Sequence, residues 1–255
     1  MKSRLYLETV NANGQTMISD LFFNAPYKVM SPFYHEKSTQ IMLMSASAGL
    51  LGGDELTADY IFHAGSSVEI TSQGYEKVLN TQDKKAVKNI TITAEKNSVI
   101  KFMPFPVIPF AGSCFDNTVN AVIDQSAIFL YSDIFSCGRI GMGEIFKMRY
   151  FQSRVTVYAG EVFAFADNTV VLPELLDYNS IGLWNKFTHN GMMYAYFPDR
   201  EAENQFLENS RELAGKDMKD CYVGSTRCMK GIVVRVLADS GDEIYNFFQN
   251  LSENA

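Results

Sequence analysis

The chain has 255 residues, and 47% of them are hydrophobic, which is ample for a packed core. Acidic residues outnumber basic residues by 29 to 22, so no overall positive field attracts phosphate backbones, which argues against a nucleic-acid partner. Residues 1–5 lead straight into alternating residues without the apolar core of a signal peptide, and no later run is long enough to span a bilayer. We therefore expect a single cytoplasmic domain over residues 1–255, with no membrane association.

The cysteines and histidines give no sign of a closed metal site. Cys114, Cys137, Cys221 and Cys228 lie far apart, without a Cys-x-x-Cys pair or a histidine at zinc-finger spacing. The three histidines are likewise isolated in sequence. We expect reduced, mostly buried thiols.

The first hundred residues read as short strands. Alternating residues predict a hairpin with strands over 5–10 and 17–23 and an Asn-Gly tip at 13–14. Further strands are predicted over 41–44, 58–62, 67–72, 86–94 and 98–103. This rhythm indicates a mainly β protein, built either from two stacked sheets or from a coil of strands, and the residues alone leave that choice open.

The segment 48–56 is interpreted as a glycine-rich turn between two strands. Gly49, Gly52 and Gly53 permit a sharp bend, which places the carboxylate of Asp54 at the start of the next strand. Two interpretations remain open. The aspartate belongs to a functional site, or the segment is a hairpin whose aspartate bonds only its own backbone.

The middle of the chain combines prolines with a second charged turn. Three prolines in 103–110 predict an extended aromatic crossover rather than a central strand. Strands are predicted over 118–123 and 127–134, followed by a turn over 133–144 with three glycines between charges of both signs. Strands over 145–151, 154–158, 162–165 and 169–172 come next, with a bend at 167–168.

Helices are predicted only in the last quarter. Asp199 is an N-cap for a helix ending near 214–215, and strands follow over 222–223 and 231–237. Ser240 and Glu243 form a capping box for a second helix. Its apolar stripe favours docking on the core over binding a partner, and consists of Ile244, Phe247, Phe248 and Leu251.

Four acids stand at predicted turns or strand ends: Asp54, Asp133, Glu144 and Asp167. Carboxylates gathered in this way act as general acids and bases or as oxygen ligands of a divalent metal. One hypothesis is therefore a metal-assisted hydrolase that uses Asp54, Asp133 and Glu144. No nucleophile elbow, phosphate loop or dinucleotide motif supports catalysis. The acids can also be structural residues of turns, with carboxylates that bond local amides. A third hypothesis is therefore a β-rich interaction module.

Taken in order, these segments resemble the urease accessory proteins of the UreD family, particularly its UreH branch. The resemblance is carried by 31–34, 49–54, 70–77, 105–110, 133–144, 167–169 and 234–238. Each segment is weak alone, whereas their order over nearly the whole chain is specific.

The resemblance implies a mainly β fold, namely a two-layered β-sheet with helical, solenoid-like topology and two helices in the C-terminal region. It also implies a nickel-delivery chaperone that is not an enzyme. Such a protein binds UreF and UreG, docks on apo-urease and passes nickel to it, within an accessory complex that can be a dimer. No cofactor is expected to bind tightly, and nickel is expected to bind transiently.

In this family an internal water-filled passage, lined partly by acids, is proposed to carry the metal. Carried over by position, the passage acids are Asp54, Asp133, Glu144 and Asp167. Further lining or turn residues are Glu76, Lys77 and Arg139, although Glu76 stands where relatives have a small residue. An apolar patch for partner docking is predicted at Phe105, Ile108 and Phe110.

Overall fold

The computed structural model describes residues 1–218 and 220–253, which form two packed β-sheets and two α-helices. The strands are β1 Lys2–Ala12, β2 Gln15–Phe23, β3 Tyr27–Val29, β4 Phe33–Tyr34, β5 Thr39–Ser45, β6 Glu55–Phe62, β7 Ser67–Ser72, β8 Glu76–Val78, β9 Ala86–Ala94, β10 Val99–Phe102, β11 Val107–Pro109, β12 Cys114–Ile123, β13 Ile128–Ser136, β14 Tyr150–Ala159, β15 Val162–Val171, β16 His189–Tyr196, β17 Tyr222–Arg227 and β18 Ile232–Ala238. The helices are α1 Arg200–Asp217 and α2 Gly241–Glu253, and a single 3-10 turn spans Ile140–Met142.

The two sheets are the layers of a solenoid. The first sheet has the strand order β15-β14-β12-β9-β6-β1-β2, and the main path of the second is β17-β18-β16-β13-β10-β7-β5-β3. Between β5 and β14 the chain passes back and forth between the sheets, and neighbouring strands of this region pair in parallel within each sheet. The predicted fold class, a two-layered sheet with solenoid-like topology, is confirmed.

Antiparallel strands close both ends of the solenoid. The predicted hairpin is present as β1 and β2, and its tip residues Asn13 and Gly14 both have positive φ. At the other end β15 runs antiparallel to β14 in the first sheet. Strands β16, β18 and β17 extend the second sheet by successive antiparallel pairs.

Both predicted helices are present and cover the outer face of the second sheet. The Asp199 carboxylate accepts from the Ala202 N–H, and the Ser240 hydroxyl accepts from the Glu243 N–H, as their capping roles predict. The apolar stripe of α2 is buried, which confirms core docking. Neither helix of the described residues is long and apolar enough to cross a bilayer. The four cysteines are free thiols, two buried and two half-buried.

Two predicted connections are wrong. The segment 48–56 is not a hairpin, because β5 lies in the second sheet and β6 in the first, and Leu50 pairs in parallel with Val78 on the way across. The proline-rich segment 103–110 is not only a crossover. Its residues Val107–Pro109 form β11, which pairs with both β8 and β13, because the prolines leave the N–H groups of Val107 and Ile108 free for pairing.

The boundaries around the second charged turn also differ from the prediction. Asp133 lies inside β13, residues 145–149 are not a strand, and β14 begins at Tyr150. No bend interrupts β15 at 167–168, since Asp167 and Asn168 pair in register with β14. The strand β16 was not predicted. It is buried on both faces, against the core and against the helices, so it lacks the alternation that identifies a strand.

Candidate functional site: an internal polar row and cavity

One row of side chains on the inner face of the first sheet is polar from β9 to β15, and the rows on either side are apolar except for Asp167, which ends one of them on β15. Strand register aligns its members, which we call the polar row: Lys88 on β9, Asn117 on β12, Ser153 on β14 and Thr169 on β15. The row on one side contains Ile90, Val119 and Val155, and the row on the other contains Ala86, Phe115 and Phe151. These flanking rows belong to two different apolar clusters, so the polar row divides the core.

Asp133 faces the polar row from the second sheet. Asp133 lies on the same face of β13 as Tyr131 and Phe135, whose side chains point into the core between the sheets. The same register row of the second sheet continues through Met192 to Arg235 on β18. The structure therefore places Asp133 and Arg235 of the second sheet opposite the polar row of the first sheet.

The surroundings of Asp133 shift its titration. Burial raises the pKa of this carboxyl to about 6, and the nearby Asp167 acts in the same direction. A hydrogen bond from Ser153 and the charges of Lys88 and Arg235 oppose the rise in pKa. Two members of the polar row, Ser153 and Lys88, thus act electrostatically on Asp133, together with the charges of Asp167 and Arg235.

A cavity of about 290 Å³ adjoins this site. Its polar lining includes Asp133, Asn117, Lys88, Glu76 and Lys77. Much of the remaining wall is aromatic and comes from both sheets, with Tyr27, Tyr60, Phe102, Phe105 and Tyr131. Largely apolar walls with a few converging polar groups are typical of a site that holds something small.

Two polar atoms in the cavity wall lack a hydrogen-bond partner among the described residues. Asn117 is only 7% exposed, and its Nδ2 donates to the Ser153 hydroxyl at 3.0 Å. Its Oδ1 and the Tyr27 hydroxyl are buried and accept or donate no bond within the described part of the chain. Unpaired buried polar atoms cost free energy, and both of these belong to residues that line the cavity.

Lys88 and Glu76 form an ion pair in the cavity wall. Lys88 Nζ lies 2.8 Å from Glu76 Oε2, and each side chain is about one-fifth exposed (18% and 21%). Lys77, the next residue of β8, also lines the cavity, and its side chain is exposed. Glu76 and Lys77, which were expected to line a passage, thus both lie in the wall of this cavity.

The predicted passage acids do not all meet. Asp167 ends the flanking row that contains Val155, where it forms an ion pair with Arg235 and accepts from the Thr169 hydroxyl of the polar row at 3.1 Å. Its charge reaches Asp133. These two acids of the predicted set are therefore brought together.

Asp54 and Glu144 lie elsewhere and are held by local partners. Asp54 accepts from the Leu51 N–H at 2.8 Å and from the Met1 amino group at 2.8 Å. Both oxygens of Glu144 accept from the Arg139 guanidinium, and one also accepts from the Ala111 N–H at 3.1 Å. The hydrogen bond from Arg139 lowers the pKa of Glu144 to about 2. Neither acid lines the cavity, and Arg139 does not line it either.

The hydrolase hypothesis is contradicted by this separation. Asp54, Asp133 and Glu144 occupy different environments and do not form one cluster. Within residues 1–218 and 220–253, no group of three histidine, cysteine or acidic side chains is placed to hold a metal ion. A three-carboxylate metal site was therefore a wrong expectation, because sequence order placed the acids near bends without showing which bends meet.

The predicted docking patch is largely covered by the chain itself. Phe105 is half-buried and stacks on Tyr245 of α2, with ring centroids 4.2 Å apart. The Arg139 guanidinium lies 4.1 Å from the centroid of the Phe110 ring, and Ile108 is half-buried in β11. The more exposed apolar side chains of this molecule include Leu175 (74%), Leu176 (53%) and Ile181 (89%) in the segment between β15 and β16.

Sequence reasoning missed Lys88, Asn117 and Ser153. Lys88 lies inside a predicted strand, whereas Asn117 and Ser153 fall just before the predicted strands over 118–123 and 154–158. In the structure each occupies an inward position of a strand, where the neighbours at i±2 are apolar. A polar residue recurring at the inward position of successive strands is a detectable signal, but it has meaning only when the strand register is known. Chemically, the site offers oxygen ligands and one tethered ammonium rather than a nucleophile with its base.

Comparison with known proteins agrees with this architecture. A family model described as UreD urease accessory protein matches residues 1–254. UreH of Helicobacter hepaticus is 34% identical over 254 residues, covering 98% of this chain and 97% of the relative. UreD of Acetivibrio thermocellus is 30% identical over 246 residues, covering 95% and 93%, respectively. This chain belongs to the UreD family of urease accessory proteins.

Proposed function

We propose that this chain is a non-catalytic chaperone of urease maturation that passes nickel to apo-urease in a cytoplasmic complex with UreF and UreG. Family membership supports the role in maturation. The observation that carries the metal-passing role is the internal cavity joined to the polar row, with Asp133 between them. Nickel is the cargo in this proposal and is held only transiently.

The chemistry of the lining suits transfer better than storage. Imidazole and thiolate hold nickel tightly, whereas carboxylate, amide and hydroxyl oxygens hold it more loosely. The polar lining of the cavity contains the carboxylates of Glu76 and Asp133, amides and phenols, together with the ammonium groups of Lys77 and Lys88. A conduit must attract an ion without trapping it; the carboxylates attract a cation, and the neighbouring ammonium groups oppose its tight retention.

Among the predicted passage acids, we assign the transfer role to Asp133 and Asp167. Glu76 and Lys77 line the cavity beside them. Asp54 and Glu144 instead stabilise the turns in which they bond neighbouring amides. The docking role predicted for Phe105, Ile108 and Phe110 stays a prediction, since these side chains are only half-exposed.

The test is a strain that lacks this gene, grown with scarce nickel and complemented with variants. We expect Asp133→Asn to slow urease activation while preserving co-purification with UreF and UreG, and Glu144→Gln to activate urease normally. Asn120→Asp, an outward-facing change on β12, controls for altered charge. Full urease activity in the deletion strain contradicts the role in maturation, and unchanged activation by Asp133→Asn contradicts the passage.

A further inference from the structure

The buried amide of Asn117 is the most unusual polar group in the cavity. Its Nδ2 is anchored by the Ser153 hydroxyl, which fixes the side chain so that Oδ1 is the atom left without a partner. Asn117 lies on the first sheet, and Asp133 lies on the second sheet at the same cavity. A neutral oxygen and a carboxylate therefore line one small space from opposite layers.

We propose that Asn117 Oδ1 and the Asp133 carboxylate form a weak station for a divalent cation in transit, and that the Lys88 ammonium, held by Glu76, competes with this cation for the charge of Asp133. This inference rests on the proposed passage. It assigns a ligand role to Asn117 and a gating role to Lys88.

The bonding state of the lining groups favours a cation over an anion. The oxygens Asn117 Oδ1 and Tyr27 Oη are the atoms without partners, whereas the Lys88 ammonium already has Glu76 at 2.8 Å. An incoming cation satisfies lone pairs that are unused. An incoming anion meets the Asp133 charge, and the Lys88 ammonium that could bind it is already paired with Glu76.

The composition of the station predicts weak binding. One carboxylate and neutral oxygens leave most coordination positions to water, and affinity for hard cations rises with the number of charged ligands. Lys88 lowers affinity further, because its charge acts on Asp133 from the facing sheet. Its long, flexible stem allows the ammonium to stay with Glu76 when a cation neutralises Asp133.

Two variants test the station by changing its net charge by one unit each. Asn117→Asp supplies a second carboxylate, and Lys88→Met removes the competing cation while keeping an unbranched stem. Asn117→Leu removes the oxygen at similar volume. Asn120→Asp and Asn120→Leu, on the exposed face of the same strand, are the matched controls.

The measurements are calorimetric titration of the purified full chain with Ni²⁺ and the visible absorption of added Co²⁺. We expect Asn117→Asp and Lys88→Met each to tighten Ni²⁺ binding by about tenfold or more, and Asn117→Leu to weaken it below the wild-type level. The Asn120 variants should bind as the wild type does. In nickel-limited complementation, Asn117→Asp should slow urease activation, since a tighter station retains its ion.

If Asn117→Asp and Lys88→Met both bind Ni²⁺ with the same affinity as the wild type, the proposed cation station is wrong. That result leaves the role in maturation intact if the wild-type gene still restores urease, so the two proposals fail separately. Circular dichroism and thermal unfolding check that each variant folds. If Asn117→Leu does not fold, Asn117→Ala replaces it, because alanine removes the oxygen without adding bulk to the cavity wall.

Discussion

Arg235 on β18 forms an ion pair with Asp167 on β15, and this pair joins the two layers of the solenoid at the end of the polar row. The Asp167 side chain is 15% exposed and the Arg235 side chain 46% exposed. The pair is therefore partly shielded from solvent, and it lies between strands that are far apart in sequence.

Replacing Arg235 should weaken the contact between the layers. We expect Arg235→Gln to lower the free energy of unfolding by about 1 kcal/mol, because Asp167 keeps only its bond from Thr169. Lys2→Gln breaks the exposed Lys2–Glu55 pair and should change stability by less than about 0.5 kcal/mol. Urea unfolding measures both values, and equal losses for the two variants contradict this view of the inter-layer pair.

Asp133 should make stability depend on pH in an unusual direction. Its folded pKa of about 6 lies above the usual aspartate value of about 3.9, so the folded state binds the proton more tightly than the unfolded state. Stability from this group is present below about pH 4 and is lost as the pH rises through 6. We therefore expect Asp133→Asn to gain about 2–3 kcal/mol relative to the wild type between pH 4 and pH 7.5.

Urea unfolding at pH 4 and pH 7.5 measures this gain. Asp83→Asn, in an exposed turn, is the control for the change in net charge. A difference between Asp133→Asn and the wild type that stays constant between the two pH values contradicts the buried carboxylate.

Glu144 should show the opposite pH dependence. Its folded pKa of about 2 lies below the usual glutamate value of about 4.3, so its contribution to stability is present above pH 4.3 and is lost as the pH falls toward 2. We expect Glu144→Gln to flatten the acid limb of the unfolding curve between pH 2 and pH 4.5. Acid titration followed by tryptophan fluorescence tests this, with Glu36→Gln as an exposed control. An unchanged acid limb argues against the Arg139 pair.

Gly191 on β16 should be intolerant of any side chain. A Cβ at this position lies 2.5 Å from Ile244 Cγ2 and 3.1 Å from Phe248 Cε2, so alanine pushes α2 away from the second sheet. We expect Gly191→Ala to lower the free energy of unfolding by about 1–3 kcal/mol. Gly224→Ala on β17 meets no atom within 4 Å and should be neutral or slightly stabilising. Similar losses in the two variants rule out helix docking as the cause.

Local signals predicted the local structure of this chain. The Asn-Gly tip, the Asp199 cap and the Ser240 capping box each act within a few residues, and each is present as predicted. The sheet to which a strand belongs is decided by contacts far along the chain, which explains why the sequence left open whether the turn at 48–56 belongs to a hairpin. The solenoid arrangement came from the family resemblance and not from the strand pattern.

The candidate site was only partly predictable for the same reason. Asp133 and Asp167 share an environment because β13 and β15 lie in facing sheets, and no spacing along the sequence encodes that proximity. Asn117 and Lys88 were not predicted as site residues, since an isolated polar residue among alternating apolar residues is common. Their alignment becomes visible only when parallel strands are placed in register.

The polar row contributes one residue per strand, so its chemistry can be edited one position at a time. Because neighbouring strands are held together by main-chain bonds, exchanging a side chain of the row leaves their pairing unaltered. Four substitutions along one line can thus change the polarity of the interior without changing the strand order of the solenoid.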